Sequence, residues 1–151
     1  MCKCDVLFTR FHWKDITTVV PSQDLPEKGV YVIRVRQRGV PVDNIIDSGR
    51  RLVEATGWGL LTKKVQSRLD RLNRIRDCPI IYIGAAPTSF KTRFKDFTGR
   101  HVAMYPTWGL LWGGWKLDYG WLQDDMPDEK EKQLKHDYFR VHNCLPALVK
   151  R

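Results

Sequence analysis

Apolar residues recur with two different periods along this chain. Residues 29–36, Gly-Val-Tyr-Val-Ile-Arg-Val-Arg, are β-branched and follow a loop, which predicts a strand. Gln37-Arg38-Gly39 predicts a turn, and Val40 to Ile46 a returning hairpin arm. Between 60 and 76 the period changes. Leu61, Val65, Leu69, Leu72 and Ile75 step by 4, 4, 3 and 3, a helical stripe whose other positions carry Lys63, Lys64, Arg68, Arg71, Arg74 and Arg76. Residues 79–84 form an apolar run that predicts a buried strand. Thr88 or Ser89 would then cap a helix over 90–97. Residues 108–114 carry Trp108 and Trp112 among glycines and show no firm period. Trp115, Leu117, Tyr119 and Trp121 alternate with more polar residues, which predicts a strand. Pro127, Asp128 and Glu129 open a last helix over 128–142, with acidic residues suited to its dipole. Residues 1–28 are mixed, with an apolar patch of Val6, Leu7, Phe8, Phe11 and Trp13. The expected fold is α+β: a small central, mostly antiparallel sheet flanked by helices. The expected organisation is one domain over 1–151, with an N-terminal extension (1–28) and a basic helical insertion at about 37–77.

Composition adds a partner. The chain has 151 residues, 42% of them hydrophobic, which is enough for a core and excludes wholesale disorder. Lys and Arg number 26 against 17 Asp and Glu, a net charge of +9. Such a balance points to a polyanion, either nucleic acid or an anionic membrane surface. Residues 50–77 hold eight Lys/Arg and three Asp/Glu, so +5 of the +9 lies in that segment. No apolar run reaches the roughly 18 residues a membrane span needs, and the first residues lack a signal-peptide pattern. An intracellular, cytoplasmic protein is expected. The four cysteines, Cys2, Cys4, Cys78 and Cys144, suggest no disulfide framework. One residue separates Cys2 from Cys4 and no second close pair exists, so free thiols are favoured over a zinc site.

The chemistry rests on an ordered set. Gly29-Val30-Tyr31 and Tyr82-Ile83-Gly84 lie on predicted strands. Arg93 follows Tyr82 by eleven residues, and Glu131 precedes Leu134 by three on the last helix. Together these residues resemble the GIY-YIG nuclease family, over residues 29–36 and 79–148. The resemblance implies phosphodiester hydrolysis, with Tyr31 or Tyr82 relaying a proton from the attacking water, Tyr31 favoured and Tyr82 assisting. It implies that Arg93 grips phosphate oxygens in a planar fork and that Glu131 holds one divalent ion, Mg²⁺ for preference. His101 joins the set of candidate catalytic residues. Two features depart from the family pattern. Fifty residues separate Tyr31 from Tyr82, and no asparagine follows Pro146, although Asn143 precedes it. Each residue also has a plainer reading: strand tyrosines with wet hydroxyls, an Arg93–Asp96 pair, and a surface carboxylate in 128–132.

Lys63, Lys64, Arg68 and Arg71 in the basic helix are candidate phosphate contacts, with Lys91, Lys95 and Arg100 flanking the proposed site. Trp108, Trp112, Trp115 and Trp121 could stack on bases, but core packing is favoured for them. The expected function is a metal-dependent DNA endonuclease, acting on double-stranded DNA, with a restriction, defence or repair role. The alternatives are a non-catalytic nucleic-acid-binding domain of the same fold and an RNA-directed nuclease. Cutting both strands from one site would require a homodimer or sequential nicking.

Overall fold

The computed structural model describes residues 2–19, 25, 27–56, 66–90, 93 and 104–149. Four strands form one antiparallel sheet: β1 (His12–Asp15), β2 (Gly29–Gln37), β3 (Ile80–Ala86) and β4 (Lys116–Gln123), in the order β1-β4-β2-β3. The helices are α1 (Val42–Thr56), α2 (Met104–Trp112) and α3 (Pro127–His142), with short 3-10 turns at Asp5–Phe8, Ile16–Thr18 and Arg71–Arg74. The architecture is thus α+β. Among the described residues no helix is long and apolar enough to cross a membrane.

The central strand explains the layering. The first five residues of β2 are all buried, so both faces of the sheet are covered. On one face Tyr31, Ile33, Ile81, Leu117, Tyr119 and Trp121 pack with Ile45, Ile46, Leu69 and Leu72 from the segment between β2 and β3. On the other, Val30, Val32, Ile80 and Ile83 pack with Leu134 and Tyr138 of α3 and with Cys4, Phe8 and Phe11. Residues 2–19 supply an edge strand and part of the second core. A register shift between Ile33 and Arg34 sets Tyr82 opposite Ile33 but Ile80 opposite Arg34. This bulge lets Ile81 and Tyr82 join the same core face.

The predicted hairpin arm over Val40 to Ile46 is overturned: α1 begins at Val42. Pro41 starts it, its carbonyl accepting the Asn44 and Ile45 N–H groups at 3.0 and 3.3 Å. Val42, Ile45 and Ile46 fall at helical spacing, and the β-branched character of the run had masked that period. Gly49, one turn on, leaves room for the Leu69 side chain, whose Cδ1 lies 2.4 Å from where a Cβ would stand. Residues 108–112, which had shown no firm period, are helical. Of the predicted basic helix, residues 66–70 are helical and Arg71–Arg74 is a 3-10 turn; 60–65 lie outside the described residues. The last helix is as predicted, one residue earlier at its start, and Asn143 caps it in the left-handed conformation (φ 57°), its N–H donating to the Phe139 carbonyl at 2.7 Å.

Candidate active site

The site is built outward from the sheet face that carries the tyrosines. Tyr31 on β2 stands opposite both Gly84 on β3 and Trp121 on β4. Its ring lies between those of Tyr82 and Tyr119, at centroid distances of 5.7 and 5.5 Å. Gly84 is required by this arrangement. A Cβ there would stand 2.5 Å from Tyr31 Cζ and 2.6 Å from its hydroxyl. Gly29 answers a second close approach, since a Cβ there would lie 2.0 Å from the Leu122 carbonyl oxygen. The glycines of both motif triplets are thus packing requirements of the sheet.

Depth distinguishes the tyrosines. Tyr31 and Tyr119 are fully buried, whereas Tyr82 keeps partial exposure. The favoured role of Tyr31 at the attacking water is therefore at odds with its burial, and Tyr82 is the phenol that a substrate could reach. Burial pushes the Tyr82 hydroxyl above its ordinary range. The interaction with Tyr31 and the Arg93 charge act against that, the Glu131 carboxylate adds to it, and Arg71 opposes it. Burial holds Tyr31 and Tyr119 higher still, with Arg93 opposing in both. Three candidate residues from three separate segments, Tyr31, Arg93 and Glu131, are thereby within electrostatic reach of the fourth, Tyr82.

Arg93 follows Ser89, whose carbonyl accepts the Arg93 N–H at 3.1 Å, the first bond of a helical turn. The Nε of Arg93 is buried and has no hydrogen-bond partner among the described residues. A buried guanidinium nitrogen left unpaired is costly, and a phosphate oxygen would satisfy it. Glu131 lies in the first half of α3, half-buried and ion-paired with Lys135. Glu129, its neighbour, is exposed.

Arg71 takes a place that its amphipathic pattern did not announce. It was grouped with the phosphate-tracking face of the basic helix. It instead donates to the Leu148 carbonyl at 3.2 Å, and its charge bears on Tyr82. Arg68 is half-buried beside Arg71. Lys63, Lys64, Lys91, Lys95, Arg100 and His101 lie outside the described residues. The tryptophans divide. Trp115 and Trp121 are core, as favoured, while Trp112 is 81% exposed and Trp108 is partly exposed beside it. Asn143 is exposed and serves as a helix cap rather than reaching the tyrosines.

Two places could hold a metal. Glu131 belongs to no group of three potential ligands among the described residues. An ion there would keep most of its water and complete its shell with substrate oxygens, which suits a hard divalent cation. The other is a group of three thiols and an imidazole: Cys2, Cys4, Cys78 and His142. All four cysteines are free thiols, as favoured, and three of them are gathered with His142. Compared with protein-family models, with curated proteins and with solved structures, the chain gives no match in any of the three.

Proposed function

We propose that the chain is a metal-dependent DNA endonuclease of the GIY-YIG type, hydrolysing phosphodiester bonds. The observation that carries this reading is that the Arg93 and Glu131 charges both bear on one half-buried phenol, Tyr82, whose ring lies 5.7 Å from that of Tyr31. The net charge of +9 supplies attraction for a polyanion. Arg93 binds non-bridging phosphate oxygens through its buried Nε, which has no partner among the described residues. Tyr82 holds the attacking water: its hydroxyl proton passes to solvent, leaving a phenolate that the Arg93 and Arg71 charges favour, and that phenolate takes the water's proton as the water oxygen bonds to phosphorus and the sugar oxygen leaves. Tyr31 and Tyr119 wall the site and exclude water behind it. Lys135 positions the Glu131 carboxylate. A divalent ion on Glu131, Mg²⁺ for preference, would supply positive charge to the phosphate.

A second reading, a non-catalytic nucleic-acid-binding domain, is favoured by one observation. Lys135 already neutralises Glu131. Plasmid cleavage with Mg²⁺ against EDTA separates the two. Metal-dependent cleavage is expected, with Glu131→Gln, Arg93→Lys and Tyr82→Phe each slowing it about 100-fold or more. DNA binding by Glu131→Gln should persist. Full activity of any of the three variants would remove that residue from the site. No metal-dependent cleavage of plain DNA, modified DNA or RNA would favour the binding domain.

A further inference from the structure

Residues far apart in the chain meet at the end of α3. The Cys4 Sγ lies 3.5 Å from both Cys2 Sγ and Cys78 Sγ, and Cys2 Sγ lies 3.3 Å from His142 Nε2. All four ligand atoms lie within 4.8 Å of one another. Zinc–ligand bonds of about 2.0–2.3 Å in a tetrahedron give ligand–ligand edges of about 3.5–3.8 Å. The three short distances are close to that size, and the widest, at most 4.8 Å, would contract by about 1 Å around an ion. It is too open for a disulfide, whose sulfurs bond at about 2.0 Å.

We propose that Cys2, Cys4, Cys78 and His142 form a structural zinc site that fastens the N-terminus and the end of α3 to the start of β3. Three thiolates and one imidazole are a soft set of the kind that selects zinc over the hard ions suited to carboxylates. All four positions of the tetrahedron are taken by protein, so the ion holds no open position for a substrate. Its surroundings are ordered for the task. The Cys2 N–H donates to Asp5 Oδ2 at 3.1 Å, the Leu7 N–H donates to the Cys4 carbonyl at 2.9 Å, and the Tyr138 ring lies 4.5 Å from the His142 ring. Such contacts set the ligand rotamers. A cavity of ≈ 670 Å³, bordered by Cys2, Cys78 and His142, provides an entry path.

The site has a consequence for α3. His142 follows Glu131 by eleven residues, about 16 Å along the helix. An ion at His142 anchors the far end of the helix that carries Glu131. The zinc site does not depend on the nuclease reading, because metal content is measured without substrate.

The test is the full chain, purified under reducing conditions from zinc-supplemented medium. Elemental analysis should find close to one equivalent of zinc that survives dialysis. Cobalt substitution should give the visible bands of tetrahedral thiolate coordination. Cys78→Ser and His142→Ala should lower zinc occupancy about tenfold or more. Cys144→Ser, an exposed thiol outside the four, should retain the ion. Stripping zinc with a strong chelator should lower the melting temperature of the parent protein. If the variants fail to fold, cobalt titration of the stripped parent protein reads the same site. A reduced parent protein with no retained zinc and no cobalt bands overturns the proposal. So does unchanged occupancy in both ligand variants, or a native Cys2–Cys4 or Cys4–Cys78 disulfide found by mass spectrometry.

Discussion

Three phenol rings share one layer of this sheet because a glycine stands where a fourth side chain would project. Gly84 faces Tyr31 across β2 and β3, and Tyr31 is held on both sides by Tyr82 and Tyr119. Its ring has no free volume to move into, since the residue is fully buried. Gly84→Ala is therefore expected to destabilise the fold by about 1–3 kcal/mol, the usual cost of overpacking a filled core. Denaturant midpoints read this directly. An unchanged midpoint would mean that Tyr31 is free to yield. The motif order along the chain picks out Tyr31, Tyr82, Arg93 and Glu131 as candidates. It did not find their depth. A period of two assigns a side chain to a face, but burial depends on what later packs over that face. Here that is the segment between β2 and β3. Tyr31 is thus fully buried while Tyr82 stays partly exposed, and the Arg71 charge bears on Tyr82.

Elements with a clean period were legible, and those with mixed signals were not. Strands β2, β3 and β4 and helix α3 matched their patterns closely. Helix α1 did not, because β-branched residues at 40–46 suggested a strand while Pro41 and the helical spacing of Ile45 and Ile46 decided otherwise. The thiol group was illegible for a different reason. Its ligands come from the N-terminus, the approach to β3 and the end of α3, and no local spacing joins them. The end of α3 also settles how Asn143 is used. Its φ of 57° and its bond to the Phe139 carbonyl mark a helix cap. Glycine adopts this conformation at no steric cost, whereas a β-branched residue does so poorly. Asn143→Gly is therefore expected to leave thermal stability almost unchanged, and Asn143→Val to cost about 1–2 kcal/mol. Thermal melts of both variants check this. Were the asparagine a catalytic group, Asn143→Gly would lose cleavage while keeping its fold.

At the scale of the whole molecule, pH acts on stability through opposing routes. A net charge of +9 repels itself near neutrality and fades as pH nears the pI of about 9.6. Repulsion alone would make the fold steadily more stable up to that point. The tyrosines act in the other direction. Tyr31, Tyr82, Tyr119 and Tyr138 all have hydroxyls pushed above the ordinary 10.0, in each case chiefly by burial. In the unfolded chain they would ionise near that ordinary value. The stabilisation is thus fully present below about pH 10 and is lost as pH rises further, because the unfolded state sheds protons that the folded state keeps. Each such tyrosine removes about 1.4 kcal/mol per pH unit over that window. The melting temperature is therefore expected to hold or rise between pH 7 and about pH 9.5, then to fall steeply. The tyrosinate absorbance of Tyr31 and Tyr119 should grow in step with loss of the native circular dichroism, since these two fully buried phenols ionise readily only when their core opens. Tyrosinate lost from Tyr31→Phe or Tyr119→Phe but seen in the parent well before unfolding would show that water reaches behind Tyr82 in the folded protein, and the wall drawn there would not hold.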